Sequence, residues 1–580
     1  MIVDFSLHQT KKAMKSTYVF LCILFFLQLA EVRSQTKTSN KYSKTYFSNK
    51  TPAQRVDSLI TAHKIQNGPG IAVSVIKDGA IVYKKGFGIA NLEYGIPITT
   101  STVFQVGSVS KQFTTFSILL LEQEGKLSID DDIRKYLPEM VDYGYKITLR
   151  NLANHTSGIR DNTDLAYLIG TSEADLFSNE QAVKLITSQK GLNFIPGDEF
   201  EYCNSGFILL AEIVKRVSGQ SFAEFTKTRI FDPLKMKNSQ FIDDPEIIVK
   251  NRAYSYYKPN SNYYKSILNH SFVGSTGLNT TAEDLSLWAI NFEKKTIGND
   301  AIFNKMKEKS KLNNGEIIPY ALGQENKVYK GLNVIFHGGA VARYVSYLLR
   351  IPEHNFSIVY TCNSHTFRPL DFVYNIIDCY LKDKETTTET KPVLNQSLLQ
   401  NFVGYYEPFP GLIVNISKEN DTLFLQAKGD NNRVKLQQIS DYEFIYPNEP
   451  HSKIVFAKTN GQATNFLEWH FSDFSYKGLS VELKEFDETK INFAELIGRY
   501  YNSELKTSYN FVVKENKLVA THNINEDIIL TALQPDVFIS IYIGYFGKIE
   551  VIRNEQQQVI GCYISGQKTR RIKFEKIDGK

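Results

Sequence analysis

Apolar runs at Ile71–Ile76 and Ala80–Lys85 flank Asp78-Gly79, a pair of residues that favours a tight hairpin, and they predict two adjacent strands. From Phe113 onward the sequence FTTFSILLLEQE carries apolar residues nearly all round a helical wheel, which predicts a buried helix ended by Gly125. A second apolar helix is predicted over Asn204–Val217, closed by Gly219, with Asn204 or Ser205 as candidate caps. Strands return at Val334–Phe336, Tyr344–Arg350 and Phe356–Thr361. Early strands, a helical middle and late strands predict a mixed α/β architecture whose two chain ends meet in one sheet.

Beyond residue 395 the pattern changes to short apolar and polar alternation between Asn, Gly and Asp turns, as in antiparallel strands. Leu399-Gln-Asn-Phe-Val-Gly404-Tyr-Tyr406 recurs loosely as Glu495-Leu-Ile-Gly498-Arg-Tyr-Tyr501. Each copy leads to an apolar run, a Lys-Glu-Asn and another apolar run. The expectation is two small β-rich modules over 396–489 and 490–580; one larger β domain is the alternative. The polar, Thr-rich segment 383–395 reads as the linker before them.

The N-terminus reads as a processing segment. Lys11, Lys12 and Lys15 precede the apolar run Tyr18–Leu29, which is short for a membrane span. Residues 1–34 are expected to be a signal peptide cut near Ser34-Gln35, with Met14 as an alternative start and an uncleaved anchor as the alternative fate. Localisation is then periplasmic or secreted, and no later stretch is long and apolar enough for a membrane helix. Residues 35–382 form the remaining large domain.

Composition adds exclusions. The 580 residues are 42% hydrophobic and 22% charged, which rules out a mostly disordered chain. A net charge of +5, spread along the chain, does not argue for a nucleic acid partner. Cys203, Cys362, Cys379 and Cys562 lie far apart and show no metal-ligand spacing.

Three short motifs carry the candidate chemistry. Ser-x-x-Lys occurs six times, starting at Ser34, Ser74, Ser108, Ser255, Ser503 and Ser565. Among these, Ser108 alone opens a buried helix, with Gly107 before it. Three residues on, Lys111 shares its helical face, so an amine can sit beside the hydroxyl and take its proton. A bare helix start with an exposed lysine is the alternative. The second motif, Tyr202-Cys-Asn204, precedes the second apolar helix; a tyrosine there can join a lysine's proton network, and an asparagine amide can orient a substrate. The third, His337-Gly338-Gly339-Ala340, ends a strand. Its glycines allow close backbone packing, and the Ala340 N–H with that of Ser108 can form an oxyanion hole.

Together and in this order, the motifs resemble those of the serine β-lactamase and penicillin-binding protein superfamily, closest to the class C-like branch that includes D-Ala-D-Ala carboxypeptidases, D-aminopeptidases and esterases. Thr148–Gly158, Gly277–Leu285 and Tyr320–Gly323 also resemble family segments, and the resemblance covers roughly residues 52–382. It implies an antiparallel sheet flanked by helices with a helical subdomain, followed by the two β-rich modules. It also implies that Ser108 is acylated and that Lys111 and Tyr202 move protons. Asn204, His337, Gly338 and Gly339 would hold substrate. No metal or organic cofactor is required. Histidine stands at position 337 where β-lactamases usually carry lysine, which weakens the case for β-lactam hydrolysis. Arg343 stands where many relatives have glycine, and either supplies the missing charge or narrows the cleft. The expected substrate is a small molecule or peptide, with cell-wall material among the options. A slowly acylated sensor on the same fold, or an aromatic-rich carbohydrate-binding assembly drawing on the C-terminal tyrosines, are the competing readings.

Overall fold

The computed structural model describes residues 50–62, 67–365, 369–381, 394–447, 449–458, 464–471, 474–540 and 544–577. The expected signal peptide and nearly all of the expected linker lie outside the described residues. The described residues form two compact units, one of 50–162 with 171–381, the other of 394–577 with the short segment 163–170. No helix among them is long and apolar enough to cross a membrane.

The first unit is organised around one sheet. Helix α1 (Pro52–Ala62) precedes strands β1 (Ile71–Lys77) and β2 (Ala80–Phe87). Helices α2 (Ser110–Gln123), α3 (Asn204–Ser218) and α4 (Ala282–Lys294) are the longest of the middle region. Strands β3 (Glu325–Tyr329), β4 (Leu332–Val341), β5 (Tyr344–Ile351) and β6 (Phe356–Cys362) follow, then α5 (Pro369–Tyr380). The sheet order is β3-β4-β5-β6-β1-β2, with every pairing antiparallel. Early and late strands therefore meet at β1 and β6, where Val73 faces Tyr360.

Local chemistry explains these elements. Asp78 and Gly79 both take positive φ (51° and 69°), so a two-residue turn joins β1 to β2. The turn between β4 and β5 uses the same backbone without glycine, at Ala342 (φ 41°) and Arg343 (φ 71°). Gly125 (φ 70°) and Gly219 (φ 74°) follow α2 and α3 at the ends read from the sequence. On one face of the sheet, Val73, Val75, Phe336, Leu349 and Ile358 pack with Val56 and Ile60 of α1 and Phe372, Val373 and Ile376 of α5. Helix α4 lies against β1 and β6. Its Trp288 reaches α2, with ring centroids 4.4 Å from Phe113 and 5.1 Å from Phe116. Twelve of the fourteen residues of α2 are buried, which suits its unbroken apolar pattern.

In the second unit, strands from Gly404 to Val481 form a nine-stranded antiparallel sheet, and strands from Gly498 to Ile577 close into a barrel. The loose repeat has one physical meaning in both. A turn of helix ends just before Gly404 and Gly498, and each glycine opens a strand. Two residues on, Tyr406 donates its hydroxyl to the Phe402 carbonyl at 2.9 Å, and Tyr500 donates to Leu496 at 2.8 Å. Both tyrosines are 1% exposed, so each hydroxyl needs that partner. Residues 163–170 group with this unit because Tyr509 donates to the Leu168 carbonyl and the Lys568 N–H donates to Asp164, at 2.9 and 2.7 Å.

Replacing Tyr406 or Tyr500 by Phe is expected to cost about 1–2 kcal/mol each in urea unfolding, because a buried carbonyl loses its donor. An unchanged unfolding midpoint in both variants contradicts this account of the repeat.

Candidate active site

The site begins with the segment that aims Ser108. Phe104-Gln105 pairs with Asn279-Thr280, and the Val106 N–H donates to the Leu278 carbonyl at 3.0 Å. The Gln105 side chain braces the turn that follows. Its Oε1 accepts from the Gly107 N–H at 2.7 Å, and its Nε2 donates to Thr276 Oγ1 at 2.8 Å. Gly107 takes φ 51°, and a Cβ there would lie 2.8 Å from the Ala340 nitrogen. Strand β4 meets this turn with a glycine of its own. A Cβ on Gly339 would lie 2.1 Å from the Val106 oxygen and 3.0 Å from the Ser108 nitrogen. Ser346 on β5 fastens the contact by donating to the Val106 carbonyl at 2.6 Å. Two absent side chains let the turn and the strand approach backbone to backbone.

Ser108 sits in a single 3-10 turn, Gly107–Val109, that runs directly into α2. It is partly exposed, whereas Lys111 is entirely buried at 0%. Lys111 Nζ lies 3.0 Å from Ser108 Oγ, 2.9 Å from Asn204 Oδ1 and 2.9 Å from the Ser275 carbonyl. An ammonium has three N–H groups, and these three acceptors match them. A neutral amine fits equally well: two N–H groups stay on the two carbonyl oxygens, and the lone pair faces the serine hydroxyl. The same cage therefore suits both ends of a proton transfer. The ring of Tyr202 covers the amine, its centroid 4.8 Å from Nζ, and Phe207 lies at 5.4 Å.

The Tyr202-Cys-Asn204 motif is held from outside α3. Neither Asn204 nor Ser205 caps the helix through its own side chain, contrary to the sequence expectation. Instead the Asp161 carboxylate accepts from the Asn204 N–H at 2.5 Å. Ser205 Oγ donates to the Arg160 carbonyl at 2.7 Å and accepts from the Asn162 N–H at 2.8 Å. The Asn204 side chain is thereby freed from capping. Its oxygen serves Lys111, which leaves its amide nitrogen as the donor for a ligand. His155, at φ 62°, accepts from the Cys203 N–H on Nδ1 at 3.0 Å and lays its ring 4.2 Å from that of Tyr202.

The third motif divides into a backbone part and a side-chain part. Val341 pairs with Tyr344 across the two-residue turn, so Val341, Gly339 and His337 face their hydrogen-bonding partners on β5. The intervening N–H groups, that of Ala340 included, point away from β5 towards the Ser108 turn. The Ala340 and Ser108 nitrogens thus lie on the two backbones that meet here, 2.8 Å from where a Gly107 Cβ and 3.0 Å from where a Gly339 Cβ would stand. Ala340 is exposed, and Gly338 is partly so.

The His337 side chain is not a charge at the mouth of the cleft. It is 3% exposed. Its Nδ1 is 2.6 Å from the Gly338 carbonyl, which can only accept, so that nitrogen carries the proton. Its Nε2 then accepts from the Tyr320 hydroxyl at 2.9 Å. Burial first, and the Lys111 charge second, push its pKa down to about 3. Arg343 is also largely buried, with its guanidinium 5.1 Å from the Tyr257 ring.

The fold thus brings Ser108, Lys111, Tyr202 and Asn204 together and sets Ala340 against them, with His337 in the layer behind. Gln105, Asp161, Ser275 and Tyr320 complete the cage without having been singled out for it in the sequence. Asp161, Ser275 and Tyr320 act on partners distant in the chain, and Gln105 ties the turn two residues on to distant Thr276, so no motif spacing marks them.

The sequence pattern of the Beta-lactamase family matches residues 56–375. A D-aminopeptidase of Gluconobacter oxydans is 30% identical over 297 residues, 51% of this chain and 56% of the relative. Penicillin-binding protein 4* of Bacillus subtilis is 27% identical over 388 residues, 62% of this chain and 83% of the relative. The match to the D-aminopeptidase therefore spans little more than half of that protein's length. Among solved structures, the octameric penicillin-binding protein homologue from Pyrococcus abyssi superposes with a TM-score of 0.53 at 23% identity, over 74% of this chain and 99% of the other, a likeness of fold.

The buried imidazole has a consequence for stability. An exposed histidine protonates near 6.5, whereas His337 in the folded chain stays neutral down to about 3. Between those values the unfolded chain holds the extra proton. The contribution of neutral His337 is therefore complete above about pH 6.5 and is lost as pH falls towards 3. In urea titrations the wild type is expected to lose more stability than His337→Gln between about pH 7 and 4. Equal losses contradict the assignment.

Proposed function

The chain belongs to the Beta-lactamase family, and from that membership we propose that it is a serine hydrolase working through an acyl-enzyme on Ser108. The observation that carries the reading is the 3.0 Å contact between Ser108 Oγ and the fully buried Lys111 Nζ.

Lys111 in its neutral form takes the Ser108 proton as Oγ bonds to the substrate carbonyl carbon. The Ser108 and Ala340 N–H groups hold the oxygen that becomes negative. The proton then passes from Lys111, with Tyr202 beside it, to the leaving nitrogen or oxygen, and the carbonyl–leaving-group bond breaks. Water attacks the ester, one of its protons returns to Ser108 Oγ, and the acid departs. The Asn204 side chain keeps its oxygen on Lys111 and offers its amide nitrogen as a donor to the bound substrate.

For substrate class we favour an amide or short peptide of a D-amino acid over a β-lactam. Two observations support this. Relatives that match the chain include proteins named D-aminopeptidase. The residue in the lysine position of the third motif, His337, is neutral, buried and engaged with Tyr320, so it offers no cation for a β-lactam carboxylate.

A fluorophosphonate probe followed by intact mass tests the reading. Wild-type protein is expected to gain one adduct and Ser108→Ala none. No adduct on wild type, or an equal adduct on the variant, contradicts it.

A further inference from the structure

The free edge of β4 does not stay free. Beyond the Ala340 position the next outward-facing backbone N–H belongs to Ala342, the first residue of the β4–β5 turn, roughly 7 Å further on. That N–H points at Glu173 Oε1, 3.4 Å away. The Glu173 backbone is pinned in turn, since its carbonyl accepts from the Asn269 N–H at 2.8 Å. The carboxylate sits in a recess: its surroundings raise its pKa by burial, while the Ala342 N–H and the Arg343 charge pull the other way. The residue nevertheless keeps solvent-accessible surface. Among the described residues, Ala342 donates the one hydrogen bond its carboxylate accepts.

The direction of a bound substrate decides what this carboxylate meets. A residue whose carbonyl accepts from the Ala340 N–H while its own N–H donates to the Ala340 carbonyl is paired antiparallel with β4. The substrate chain then runs against the strand. Its leaving group lies towards Gly338 and His337, and its amino side lies towards Val341 and Ala342. An extended peptide would next need the Ala342 N–H, and Glu173 already occupies it. A substrate whose acyl residue ends in a free ammonium stops short of that position and brings a positive charge towards the carboxylate.

We infer that Glu173 selects substrates by their free amino end, excluding longer or N-acylated chains and pairing with the ammonium of the residue that acylates Ser108. The inference rests on the hydrolase reading above and sharpens it from D-amino-acid amides in general to those with an unblocked amine. Glu173 is then a specificity-determining residue, and the Arg343 charge next to it opposes the rise in pKa that burial causes.

The test compares D-alanine p-nitroanilide with N-acetyl-D-alanine p-nitroanilide on the full chain, wild type and Glu173→Gln, with fluorophosphonate labelling of Ser108 in both. The wild type is expected to favour the free amine in kcat/KM by roughly 10-fold or more. In Glu173→Gln the free-amine substrate is expected to lose roughly 10- to 100-fold, chiefly in KM, while the acetylated one gains. A wild type that labels but shows no preference for the free amine, including one that turns over neither substrate, overturns the inference and leaves the serine chemistry standing. So does a labelling-competent Glu173→Gln whose two substrates change in parallel. A wild type that fails to label overturns both readings. The wild-type comparison stands alone if Glu173→Gln does not fold.

Discussion

A primary amine sealed at 0% exposure beside a serine hydroxyl is the constraint around which the first unit is arranged. An ammonium without partners is costly to bury, so the fold surrounds Lys111 with acceptors drawn from three separate places: the serine itself, the start of α3 and the loop before α4. Each acceptor is fixed by something else. Asp161 fixes Asn204, and Gln105 and Thr276 brace the serine turn next to Ser275. Carbonyl acceptors tolerate the amine in either protonation state, which a carboxylate partner would not do. A carboxylate would hold the proton on lysine and keep the hydroxyl unreactive.

The same constraint explains the glycines. The serine turn and β4 are more than two hundred residues apart in the chain. They converge because Gly107 and Gly339 carry no Cβ where one would strike the opposing backbone. The sheet supplies rigidity: β4 is paired on both sides up to Phe336 and on one side beyond it. Where the pairing with β3 stops, the strand edge packs against the serine turn. Glu173 then accepts from the Ala342 N–H at the far end of that edge.

Much of this was legible in the sequence, for identifiable reasons. Asp78-Gly79, Gly125 and Gly219 announced their turns and helix ends through backbone preferences that need no tertiary context. The spacing of Ser108 and Lys111 survives because one helical turn brings them together wherever the helix lies. The repeat around Gly404 and Gly498 turned on its tyrosines, whose hydroxyls reach back four residues to a carbonyl. The illegible parts depend on distance in the chain or on environment. Asp161 replaces a local cap that Asn204 and Ser205 have the chemistry to supply. His337 reads from the sequence as a substrate-binding residue of weakened charge, and Tyr320 and the Gly338 carbonyl engage both of its nitrogens in the fold. The turn at Ala342-Arg343 lacks the glycine or asparagine that would have announced it, and its backbone is held by Tyr344 and Ser255 hydroxyls reaching back to the Ala253 carbonyl and across to Ala342. Segment 163–170 lies within the first unit's sequence but groups with the second, which no composition shift foretells.

The central claim is that Lys111 makes Ser108 reactive by accepting its proton, and the rate of fluorophosphonate attack on Ser108 in Lys111→Met reads that step directly. Methionine fills the same volume without an amine, and circular dichroism checks that the variant is folded. The account predicts a labelling rate lower by roughly 10²–10⁴-fold, the range that a positioned general base supplies. A folded variant that labels at nearly the wild-type rate would contradict it.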